Sequence, residues 1–140
     1  MEGLLKVVPF FGILALIFAA YLAAKVSRQE EGTQRMKEIA SAISEGARAF
    51  LMAEYKILVF FVLILFVLIG LGIGNWITAV CFVCGALFST LAGYCGMQVA
   101  TRANVRTANA ARNSGMNKAL SIAFSGGAVM GMCVAGFGVL

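Results

Sequence analysis

Histidine and aspartate are absent from this chain, and its acidic residues are six glutamates: Glu2, Glu30, Glu31, Glu38, Glu45 and Glu54. A His-containing zinc site, a Ser-His-Asp triad, a Walker B aspartate and an EF-hand are excluded, because each needs side chains the chain does not own. Charge of either sign is scarce. Charged residues make up 12% of 140 and hydrophobic ones 61%, whereas a soluble domain is about a quarter charged. This composition belongs in a membrane. Proline occurs once, at Pro9, in the first turns of an apolar run, where a helix tolerates it best.

Four uncharged runs stand out: Val7–Ala24, Ile57–Gly74, Ile77–Ala100 and Ala119–Leu140. Even the shorter ones reach roughly 27 Å as helices, enough for a hydrocarbon core of about 30 Å when flanking residues snorkel. Continuous apolar runs without alternation are helical, since in lipid only helices and closed barrels satisfy their backbone. The first run is not read as a secretory signal: no A-x-A tripeptide lies between Ile17 and Ser27, and the stronger positive cluster follows the run.

The net charge of +5 does not point to nucleic acid, because the basic residues sit between the spans. Lys25, Arg28, Arg35, Lys37, Arg48 and Lys56 fall in segment 25–56, and Arg102, Arg106, Arg112 and Lys118 in segment 101–118; the Asn75-Trp76 turn has none. Four spans put both basic segments on one side, and the positive-inside rule makes that side the cytoplasm, with the N-terminus outside. The expected architecture is thus an all-α membrane protein: one transmembrane region over 1–140, spans of about 7–24, 57–74, 77–100 and 119–140, and cytoplasmic segments 25–56 and 101–118. A bacterial cytoplasmic membrane is the expected location, an acidic vesicle or vacuole membrane the alternative.

Within the first cytoplasmic segment, Met36, Ile39, Ala40, Ile43, Ala47, Phe50 and Leu51 recur at the spacing of one helical face. An amphipathic helix is expected over 33–56, with Arg35/Glu38 and Glu45/Arg48 on its mixed polar side. A helix that only gripped anionic lipid would carry a basic polar face; this one more simply covers the cytoplasmic mouth of a bundle. In the second segment, Arg102, Arg106, Asn109 and Asn113 share a face of a helix continuing the third span, and no carboxylate follows Glu54. Unrelieved like charges at i,i+4 are unfavourable, so partners are sought in lipid phosphates, in carboxylates of the first cytoplasmic helix, or in acids on further chain. Alternatively these are simply topogenic charges.

Side-chain size distinguishes the spans. Ile57–Gly74 is bulky and reads as largely lipid-facing. In the third and fourth, Gly85/Ser89/Gly93, Ala92/Gly96/Ala100 and Gly127/Gly131/Ala135 form rows of small residues at i,i+4, which let helix backbones approach closely. Ser121 and Ser125 are expected to return their hydroxyls to the backbone or bond to a neighbouring helix. Cys81-x-x-Cys84 lies inside an apolar span without histidine or a second pair, so packing is preferred to a metal or redox role.

Three stretches resemble a known family. Arg35-Met36, Glu38-Ile39-Ala40, Ala42-Ile43, Glu45-Gly46-Ala47, Ala49-Phe50-Leu51 and Glu54-Tyr55-Lys56 are similar to the first cytoplasmic segment of membrane-integral pyrophosphatases, the pyrophosphate-energised proton or sodium pumps. Gly96-Met97, Ala100-Thr101, Ala103-Asn104, Arg106-Thr107 and Ala110-Ala111 resemble the family's junction between its third and fourth helices; Ala123-Phe124 and Gly126-Gly127-Ala128-Val129-Met130-Gly131 resemble its fourth. The resemblance implies a homodimer of subunits with about sixteen helices, of which these four would be the opening part. It also implies hydrolysis of cytoplasmic pyrophosphate with Mg2+, and possibly K+ or Na+, held by later helices. No catalytic, cofactor-binding or metal residue is therefore assigned to this chain. The segment is expected to be scaffold and inactive alone, and the ending Gly136-Phe137-Gly138-Val139-Leu140 fits a longer polypeptide. The alternative is a complete non-catalytic four-helix subunit or assembly factor. An ion-carrying rotor is discarded because the three later spans hold no carboxylate, and a channel lacks charged residues in any span.

Overall fold

A computed structural model describes residues 2–140, with side chains from Val7 onward. The described residues form four helices: α1 Glu2–Ser27, α2 Gln34–Gly72, α3 Trp76–Ser114 and α4 Met116–Val139. All four are long and apolar enough to cross a membrane.

α2 refines the sequence reading. The amphipathic segment and the second apolar run are one continuous rod of 39 residues, about 58 Å long at the helical rise and so nearly twice the hydrocarbon thickness. No glycine or proline falls between Gly46 and Gly70, and the junction at Met52, Ala53, Glu54 and Lys56 consists of good helix formers. Nothing there stops the helix. α3, also 39 residues, continues past the apolar run as expected.

The connections are short and capped. The Thr33 hydroxyl accepts from the Met36 amide at 3.4 Å, and Asn75 Oδ1 accepts from the Ile77 amide at 3.0 Å; each satisfies one of the free N–H groups that begin a helix. A single residue, Gly115, separates α3 from α4 with φ +87°, a left-handed backbone that glycine adopts without a Cβ penalty.

α4 packs along both α3 and α1, α1 touches α3 more lightly, and among the described residues α2 contacts α3 alone. One cluster in the bundle joins Ala19, Leu22, Ala92, Val129 and Cys133; a second, nearer the basic end, joins Val26, Ala103, Ala110, Ala119 and Ile122. Glycine sets the closest approaches. A Cβ on Gly12 would stand 2.9 Å from the Gly136 carbonyl oxygen, and one on Gly136 would stand 2.8 Å from Leu16 and 3.0 Å from the Gly12 carbonyl oxygen. Gly96 lies against Met130 and Gly126 against Ala103.

The small-residue rows are therefore used unevenly. Ala92 and Gly96 of the second row are buried. In the fourth span, the packed face is Gly126, Val129, Cys133 and Gly136, not Gly127/Gly131/Ala135: Cβ atoms on Gly127 or Gly131 would meet nothing within 4 Å. Gly85 is open too, and the nearest atom to a Cβ on Gly93 is the Tyr55 hydroxyl at 3.8 Å. Those two rows remain available to further helices. α2 behaves as its bulk suggests: Gly70 is its one buried residue, under the Trp76 ring, while Phe60 is 73% exposed.

Candidate functional site: a buried arginine at the basic end

Both basic segments lie at the same end of the bundle, because the C-terminal part of α3 holds the linker between α1 and α2. Arg106 is at the centre of this contact, its side chain only 7% exposed. Its Nε donates to the Gln29 carbonyl at 3.0 Å, and Nη1 to the Arg102 carbonyl at 2.8 Å. Nη2 donates to the Ser27 carbonyl at 3.3 Å and to Glu31 Oε1 at 2.8 Å. One side chain thus joins the end of α1, the linker and its own helix.

One turn on, buried Asn109 donates to the Glu30 carbonyl at 3.2 Å, while its Oδ1 accepts from Asn113 at 2.9 Å. A Cβ on Gly32 would fall 2.7 Å from that same Oδ1. With φ +89°, Gly32 turns the chain into the Thr33 cap while letting Asn109 approach. The linker is fixed by its backbone more than by its side chains.

Of the four polar residues on this face of α3, Arg106, Asn109 and Asn113 converge on the linker. Arg102 contributes its carbonyl and keeps its side chain exposed. Of the partners open to Arg106, lipid phosphate, a carboxylate of the 33–56 helix or an acid on further chain, none is the one seen: its carboxylate is Glu31, in the linker just ahead of that helix. Sequence reasoning missed the carbonyls of Ser27 and Gln29, which carry no residue-specific signal. It also missed Gly12 as a packing residue. The proposed i,i+3 contacts divide: Arg35–Glu38 forms at 3.2 Å with both groups largely exposed, a geometry that contributes little, whereas no Glu45–Arg48 pair forms among the described residues.

The apolar face of the N-terminal half of α2 leans on α3. Met36, Ile39, Ala40 and Ile43 line a groove with Thr101 and Val105, although Ile39 and Ile43 stay about half exposed, at 51% and 46%. Deeper, the Tyr55 hydroxyl donates to the Thr90 carbonyl at 3.0 Å and ties α2 to α3. Ser125 returns its hydroxyl to the Ser121 carbonyl at 2.7 Å, as expected. All four cysteines are free thiols. Among the described residues, no three His, Cys, Asp or Glu side chains come together as metal ligands.

Four long apolar helices, with both basic segments gathered at one end and locked by a buried arginine, define an integral membrane protein of the polytopic helical class. Sequence comparison gives the particular family. The family model described as "Inorganic H+ pyrophosphatase" matches residues 13–140, and the chain belongs to that family. A Clostridium tetani protein named "Putative K(+)-stimulated pyrophosphate-energized sodium pump" is 54% identical over 132 residues, 94% of this chain and 19% of the relative. A Moorella thermoacetica protein named "K(+)-insensitive pyrophosphate-energized proton pump 2" is 46% identical over 137 residues, 98% of this chain and 20% of its own. A Thermotoga maritima protein named "K(+)-stimulated pyrophosphate-energized sodium pump" is 47% identical over 129 residues, 91% of this chain and 18% of its own. The chain spans about a fifth of the length of the curated relatives it matches.

Proposed function

We propose that this chain is the opening part of a pyrophosphate-energised ion pump, which hydrolyses cytoplasmic pyrophosphate and moves a proton or sodium ion outward. Its role there is to brace the bundle. The observation that carries this reading is the state of Arg106. A guanidinium has five N–H donors, and four hydrogen bonds to oxygens of this chain occupy the one in Arg106. The most enclosed cation among the described residues is thus committed to structure and has little capacity left to clamp a phosphate. Relatives named for sodium and for proton transport match the same residues at similar identity, which supports a role common to both.

Magnesium, implied by the resemblance to the family, does not fit the residues here: among the described residues the carboxylates form no ligand group. No step through the metal is assigned to them. The basic end faces the cytoplasm by the positive-inside rule, which puts the N-terminus outside, and the working unit is a homodimer.

Arg106→Ala in the full-length pump tests the bracing role. It leaves Glu31 and three carbonyls without their donor, at a cost of about 3 kcal/mol; loss of one partner of a fully buried pair costs roughly 3–5, and solvent at the 42% exposed Glu31 lowers that figure. Folded protein in the membrane should fall severalfold, while the KM for pyrophosphate of what remains stays unchanged. A large rise in KM at normal protein level would refute the bracing role.

A further inference from the structure

We propose that the cleft between the basic ends of α1 and α4 binds the phosphate of an anionic lipid between Lys25 and Lys118. The cleft, of about 170 Å3, is lined by Lys25, Gln29, Lys118, Ser121 and Ser125, with Val26 and Ile122 as its apolar lining. Gln29 also borders a second polar cleft, the one that Arg106 lines, and the two differ in charge.

No carboxylate lines the Lys25–Lys118 cleft. Among the described residues, the ion pairs are Arg35–Glu38 and Arg106–Glu31, and neither lysine belongs to one. The Arg106 cleft, by contrast, contains Glu30 and Glu31 beside its basic groups, so its positive charge is already answered. Lys25 and Lys118 are both exposed beside their own cleft, and a phosphate between them supplies the countercharge that its lining lacks. Lysine suits the task, being a compact point charge on a flexible stem with three donors. Gln29 and Ser121 add neutral polar groups to the lining.

Depth selects a lipid as the source of the phosphate. Lys25 directly follows the apolar run Val7–Ala24 and Lys118 directly precedes Ala119–Leu140. Both ammoniums therefore stand at the edge of the hydrocarbon, level with the headgroups, where each basic residue strengthens attachment to an anionic leaflet. Val26 and Ile122 are themselves buried, at 1% and 6% exposure, in the core that holds the ends of α1 and α4 together, so the two lysines are carried by fixed backbone.

The test is native mass spectrometry of the full-length protein in detergent, titrated separately with phosphatidylglycerol, phosphatidylcholine and inorganic phosphate. Wild type should retain phosphatidylglycerol in preference to phosphatidylcholine. Lys25→Gln and Lys118→Gln should each weaken that binding about fivefold, and the double variant about twenty-five-fold. Arg48→Gln, an exposed change elsewhere on the basic end, should have no effect. Equal retention of the two lipids, or phosphatidylglycerol binding by the double variant at wild-type strength, would overturn the proposal. So would inorganic phosphate binding as tightly as the lipid and being lost in the double variant, which would assign the cleft, and not the catalytic site, to a soluble anion. If the double variant does not accumulate, the single variants decide, and unchanged binding in both overturns the site.

Discussion

α2 and α4 are both apolar helices, yet they occupy opposite positions in the bundle. α2 has the more apolar window of the two and is the less buried; it touches α3 alone and presents Phe60, Leu63, Leu68 and Leu71 outward. α4 is rich in glycine and alanine and packs on both α1 and α3. In water the bulkier apolar helix would be driven inward. In lipid the tails are as apolar as leucine, so hydropathy gives no preference for the interior, and close packing decides. The helix that sits between two others is the one whose small residues allow two backbones to come near it.

The largest effect that would break this comparison is Gly136→Leu. The new side chain meets Leu16 and the Gly12 carbonyl, and a backbone atom cannot move aside as a flexible side chain does. We expect a loss of about 3 kcal/mol, at the upper end of the usual overpacking cost, read as a large drop in thermal stability in detergent. A wild-type melting temperature would show that the α1–α4 crossing is not tight. Next is Tyr55→Phe, which removes the hydroxyl that ties α2 to α3. Hydrogen bonds between membrane helices average about 0.6 kcal/mol, so a small but measurable destabilisation is expected, and none at all would mean that the groove contacts alone hold α2.

Gly131→Ala sharpens the comparison on α4 itself. The added methyl meets nothing within this chain and should be neutral against it. A loss above about 1 kcal/mol in the full-length protein would mean that another helix covers this face, and disulfide trapping from position 131 would locate it. Smallest of all is Leu71→Ala on α2, at a residue 71% exposed. Lipid replaces the lost contacts, so the stability change should stay within about 0.5 kcal/mol; a larger change would place protein, not lipid, against that side of α2.

Much of this arrangement is legible without coordinates because it rests on properties local to the chain. An even number of spans puts segments 25–56 and 101–118 at one end whatever the packing, and the hydrogen bonds of Arg106 and Asn109 to residues 27–31 confirm that they meet. The continuation of α3, the outward face of α2 and the Ser125 hydroxyl bond follow from pattern and side-chain size. The join of the amphipathic segment to the second span was legible in principle, since no breaker separates them, but a change in polarity looks like a boundary even when the helix ignores it.

What the sequence by itself determined is the number of apolar spans, their common basic end and the span least buried among these helices, because run length, charge count and bulk are properties of single segments. Only the tertiary structure decided which face of α4 is packed, since Gly126 and Gly127 are equally small and the choice depends on where the backbones of α1 and α3 lie. The partners of Arg106 were likewise undetermined until the fold formed: three of its four acceptors are main-chain carbonyls, which every residue possesses and which become a specific site only when the chain turns them toward one guanidinium.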